Sequence, residues 1–254
     1  MTFACISLML AGMFTLQSSA AIDPTTIAGM WLFDEGQGET AKDSSGNGND
    51  GALMGGPVWV AGKIGGALQF DGSDDYVDCG ADPSLDLTEQ LTLAAWMKHP
   101  PGTEGYTIIR NTEDDGIRQY SLLDYVSSGV TSIYCDTPNG RENLDWPLTL
   151  DDDTWHHAAM VIDNINVELF VDGVGQGVQQ LSDTLVSVDT TVWIGRRKPA
   201  NFAFTGLIDE VAVFSVPLSE SDIQTIMAGL SGAVSAVSPS GKLAASWATI
   251  KTQH

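Results

Sequence analysis

Leu91-Thr-Leu-Ala-Ala-Trp-Met97 is the stretch that decides the fold. Leu91, Leu93, Ala95 and Met97 recur with a period of two, so they share one face of an extended strand. Outward from it the pattern repeats. His156-His-Ala-Ala-Met-Val-Ile162 and Val167-Glu-Leu-Phe-Val171 are joined through Asp163-Asn164, which reads as a hairpin, and Asp172-Gly173 supplies the next turn. Further strands are expected at 66–70, 76–79, 106–110, 119–123, 132–135, 191–195 and 207–214. Short, evenly spaced strands with turn signals and little helical periodicity predict an all-β antiparallel sandwich or jelly roll.

One helix interrupts this pattern. Ser219 is a good N-cap with Asp222 three residues on, and Ile223, Ile226, Met227 and Leu230 form an i, i+3, i+4, i+7 stripe behind Pro217. It is expected to lie against an edge or end of the sandwich. No internal repeat is visible, so 22–230 reads as one domain and 231–254 as a tail that either hangs free or docks through Trp247. Residues 1–21 are uncharged and apolar and end in Ser19-Ala20-Ala21, the pattern of a cleaved secretion signal; a buried N-terminal strand is the alternative. The apolar run within it is too short to span a bilayer.

A chain of 254 residues with 43% hydrophobic content is long enough for one large β domain or two small ones. Its net charge of -22 excludes a nucleic-acid binder, which needs Lys and Arg against phosphate, and favours divalent cations as partners. Cys79 and Cys135 lie in expected strands; secretion permits a disulfide between them, and two buried thiols are the other possibility. Neither has zinc spacing.

Several pieces then occur in a set order: Trp31-Leu-Phe-Asp-Glu-Gly, Asp43-Ser-Ser-Gly-Asn-Gly-Asn-Asp-Gly51 and Gly62-Lys-Ile-Gly-Gly-Ala-Leu-Gln-Phe-Asp-Gly72. Trp155-His-His-Ala, Leu169-Phe-Val-Asp-Gly173, Gly206-Leu-Ile-Asp-Glu-Val and Pro217-Leu-Ser-Glu-Ser-Asp-Ile223 follow. Over about residues 27–230 the chain resembles the laminin-G-like, concanavalin A-like jelly-roll domains common in secreted bacterial proteins. The resemblance implies a two-sheet sandwich with a short helix after its last strand. Trp31, Phe33, Leu68, Phe70, Trp96 and Trp155 fall in strands and are expected to fill the core between the two sheets, since aromatics bury large apolar areas.

Many members of that family hold a structural Ca²⁺ near the first and last strands, and the resemblance carries Asp209 toward the Asp43–Gly51 loop. Calcium takes six to eight hard oxygens, so the expected ligands are Asp43, Asn47, Asn49 and Asp209 with nearby backbone carbonyls. The plain alternative is that Asp43 and Asn47 cap turns through their own backbone. Glycosidases of this fold class carry spaced carboxylates on one strand. Here Glu113-Asp-Asp115 and Asp151-Asp-Asp153 are contiguous and flank turns, so a hydrolase is not expected. His156 and His157 have no Ser or Cys nucleophile motif beside them.

Glycan binding is the main functional expectation. Sugar sites combine aromatic platforms with hydrogen-bonding side chains, and the candidates are Arg110, Arg118, Tyr120 and Trp146 in the least regular stretch, with Arg196 and Arg197 as a second, basic patch. The expected partner is therefore a glycan or an extracellular protein, met outside the cell. The competing reading is an adhesion domain working through protein contacts alone.

Overall fold

The computed structural model describes residues 22–102, 105–112, 118–123, 125–127, 129–197 and 202–235. The signal reading for 1–21 and most of the tail lie outside them. Every strand pairing among the described residues is antiparallel. One sheet runs in the order Val174–Gln180, Asn166–Val171, Trp155–Asp163, Gln90–Lys98, Thr205–Phe214, Gly66–Asp71 and Val58–Ala61. Ile27–Trp31 pairs with the far half of Thr205–Phe214, Trp31 opposite Val211, so the first long strand and the last lie side by side. A second sheet orders Arg118–Leu122, Ile109–Thr112, Val192–Ile194, Tyr76–Asp78, Gly51–Met54 and Thr40–Ala41. Gly140–Trp146, Val130–Thr137, Tyr125–Ser127 and Gly105–Tyr106 extend this layer. Ser121 Oγ donates to Tyr134 O at 3.0 Å across the join.

The opening stretch explains the layering. Leu91, Leu93, Ala95 and Met97 face the inner core, where they meet Val77, Ile109, Tyr120, Val192 and Ile194 of the other layer. Ala94 faces away, yet it too is buried, in a second cluster with Ala159, Phe170, Ala212 and Phe214. That outer half of the sheet is roofed by Leu218, Ile223, Ile226, Leu230 and Ala233. Both faces of the central strand are therefore dry, which is why its polar positions are so few.

Two helices rather than one make the roof. Glu220–Ile226 begins at the Ser219 cap, with Ser219 and Asp222 closing a reciprocal capping box. Gly229 has φ +126°, a conformation that L side chains rarely adopt, and it separates this helix from Leu230–Ser235. Leu230 thus starts a new helix instead of finishing the predicted stripe, and residues 231–235 of the expected tail belong to the fold. Trp31, Phe33, Leu68 and Phe70 lie in the inner core as expected. Trp96 faces the other side of the sheet, and Trp155 is only half-buried at a strand start. Cys79 and Cys135 are buried thiols that form no disulfide. Among the described residues no helix is long and apolar enough to cross a membrane.

Candidate functional site

The roof covers only part of the outer face of the larger sheet. Beyond it, an open cleft of about 660 Å³ is lined by Val60, Gln69, Lys98 and Leu207 together with Asp71, Pro100, Asp153 and Thr205. Its floor is rigid because its strands are centrally paired: Leu207 lies opposite both Gln69 and Lys98. Gly206 sits in the floor with φ +132°, and a Cβ there would stand 2.2 Å from Lys98 O, so the strands meet more closely than any other residue allows. Lys98 Nζ lies 3.4 Å from Asp153 Oδ1, an ion pair half open to water. Polar groups on a fixed sheet above an apolar floor suit a small hydroxylated or charged ligand. Sequence reasoning missed this cleft because its residues come from four strands that no local motif connects.

The predicted ligand-binding residues divide. Tyr120 is fully buried and its hydroxyl donates to Leu85 O at 2.8 Å. Trp146 is 2% exposed, its indole N–H reaching Gly177 O at 3.2 Å. Both are core residues and neither offers a stacking platform; an aromatic in a two-sheet strand has an even chance of facing inward, and these do. Arg110 and Arg196, far apart in sequence, are brought to one place on the outer face of the second layer. Arg110 lies opposite Trp193 in the register. The Trp193 and Tyr76 rings meet tilted, centroids 4.7 Å apart, and the Arg196 guanidinium lies 5.1 Å from the Tyr76 ring while donating to Asp74 O. Arg110 is buried, so it supports this surface instead of displaying itself. Arg118 pairs with Thr112 and Arg197 with Phe202 in the backbone; their side chains lie outside the described residues.

The four expected calcium ligands fall into two groups, Asp43, Asn47 and Asn49 beside the first strand and Asp209 in the last. Asp43 Oδ1 accepts the Met30 and Ser45 N–H groups, and Oδ2 accepts the Asn49 N–H and Ser45 hydroxyl, at 2.8–3.0 Å. Asn47 and Asn49 turn their amide nitrogens, not their oxygens, onto the carbonyls of Ile27 and Ala28. Asp209 faces a different turn, its Oδ2 accepting Ile64 N–H at 2.9 Å. Asp43 thus spends both oxygens on internal donors, whereas Asp209 Oδ1 is buried with no partner among the described residues, and the two carboxylates face separate turns. Through these hydrogen bonds the side chains clasp the first strand to the 43–49 loop and the last strand to the 62–65 turn. Trp31 Nε1 adds a bond to Asn49 O at 2.8 Å. Among the described residues, the acidic side chains that do converge are Asp71, Asp74 and Asp75, with oxygens within 4.8 Å of one another.

The residues that match the family model for the concanavalin A-like lectin/glucanases superfamily run from 71 to 224. The chain belongs to that superfamily. Among solved structures, this superfamily domain is similar to the binding domain of Paraclostridial Mosquitocidal Protein 1. That match has a TM-score of 0.67 and 13% identity, covering 80% of this chain and 52% of that one. It is also similar to domain 4 of AbnA, an extracellular arabinanase from Geobacillus stearothermophilus, in complex with arabinotriose. There the TM-score is 0.64 and identity 21%, covering 78% of this chain and 97% of that one. Among curated proteins, the domain is 24% identical over 171 residues to Adhesion G-protein coupled receptor V1 of Danio rerio and 26% identical over 159 residues to Usherin of Rattus norvegicus. Those stretches cover 63% and 58% of this chain but only 3% of either relative.

Proposed function

We propose that this domain is a non-catalytic binding module of an extracellular protein, and that it takes a glycan in the cleft of Gln69, Lys98 and Asp153. The observation that carries this reading is the cleft itself, an open polar trough on a rigid sheet. Gln69 offers both an amide donor and an acceptor, and the Lys98–Asp153 pair presents one of each sign to sugar hydroxyls. Val60, Leu207 and Pro100 give the C–H face of a sugar an apolar bed. Asp71 and Asp153 are exposed and Asp153 is engaged by Lys98, so the pair lacks the buried acid that glycoside hydrolysis requires. The bound arabinotriose of the arabinanase domain supports a sugar by analogy of fold. The uncharged residues 1–21 support export.

Adhesion through protein contacts is the second reading, and the named relatives favour it. A glycan array separates the two. The glycan reading expects selective binding that Gln69→Ala and Lys98→Ala each weaken while the melting temperature stays put. A blank array, or binding indifferent to both substitutions, would hand the case to protein contacts.

A further inference from the structure

A second pocket, about 250 Å³, shares no lining residue with the cleft. Ala81, Asp82, Pro83 and Asp86 form one wall; Ser187, Val188, Asp189 and Thr190 form the other; Asn111 closes the base. Among the described residues no Lys, Arg or His lines it, so that lining is rich in acceptors and carries three carboxylates. Asn111 is the decisive residue. It is 1% exposed, its Nδ2 donates to Gln119 Oε1 at 2.8 Å, and its Oδ1 is buried with no hydrogen-bond partner among the described residues. A buried amide oxygen left empty costs free energy that a ligand donor would recover.

We propose that this pocket receives a guanidinium group, the arginine side chain of a protein partner. A guanidinium carries five N–H donors in a planar fork and no acceptor, the complement of this lining. A bare metal ion suits it less. Asp86 already spends Oδ1 on Gln119 Nε2 and Oδ2 on Ser187 Oγ, both at 2.5 Å. The volume also exceeds that of an ion whose ligands close in at about 2.3–2.6 Å. Asp189 is exposed and engages nothing among the described residues, so it is placed to meet the charge as it enters.

The test uses the full chain and agmatine as the guanidinium probe, followed by heteronuclear NMR. The expected result is saturable movement of the Asn111 side-chain amide and of the 187–190 backbone signals. Asp189→Asn, which removes no internal bond, weakens agmatine about fivefold, and excess calcium does not displace it. Absence of saturable shifts, shifts elsewhere, equal affinity in Asp189→Asn, or displacement by calcium at these same signals would each overturn the proposal.

Discussion

Asp209 is fully buried beside the bulge of the last strand, beneath the 62–65 turn. Loss of hydration pushes its carboxyl up to about 7, against the Ile64 N–H bond that favours the charged form. In the unfolded chain it titrates near 3.8. Between those values the native state keeps a proton that the unfolded state has released, so stability falls as pH rises through this window. Asp209→Asn removes that titration and leaves the neighbouring Glu210 in place. The stability of the variant relative to the parent is expected to climb from pH 4.5 toward 7.5, by at most about 1.4 kcal/mol per pH unit. Urea denaturation across that range measures it, and a flat difference would refute the burial argument. Asn49 tests the clasp in the same way. If its amide works by bonding Ala28 O and Ser84 Oγ, Asn49→Ala costs about 1–3 kcal/mol. That loss should be identical in EDTA and in excess calcium; a loss that appears only with calcium would restore the metal.

At the scale of elements, the roof helix is where local sequence signals and tertiary burial agree. Ser219 caps it and Ile223 is wholly buried against the sheet. Thermal or urea unfolding should therefore show about 1 kcal/mol lost in Ser219→Ala and about 2–5 kcal/mol in Ile223→Ala. If the second loss were no larger than the first, the helix would not be a working part of the core. The cap and stripe were legible because both are local. So was the strand at 91–97, whose alternation needs no partner. The break at Gly229 was not, because the apolar stripe ran on past it to Leu230. Nor could alternation alone say that Tyr120 and Trp146 face inward: period two divides a strand into two faces without saying which is wet. The cleft was illegible for a related reason. Gln69, Lys98, Leu207 and Asp153 meet only through strand register, which 254 residues of one sequence do not spell out.

Across the whole molecule, two groups of carboxyls pull stability in opposite directions with pH. Asp23, Asp82 and Asp50 are held below their ordinary values, the first two by turn N–H groups and the third by Lys42, so their contribution is lost as pH falls through the acid range. Asp75, Asp209 and Glu210 are raised by burial, so theirs is lost as pH rises. A net charge of -22 adds repulsion that also grows with pH. Stability is therefore expected to peak between about pH 4.5 and 7, below the neutral conditions in which most domains are handled. Salt distinguishes the contributions. Repulsion among exposed charges is screened over about 10 Å at 0.1 M ionic strength, whereas a buried carboxyl is screened far less. Melting curves should then show sodium chloride raising the melting temperature more at pH 7.5 than at pH 5. The fall on the alkaline side should persist in high salt, because the buried Asp209 and Glu210 still ionise there. If salt abolished that fall entirely, surface repulsion alone would account for it, and the buried Asp209 and Glu210 would be neutral bystanders.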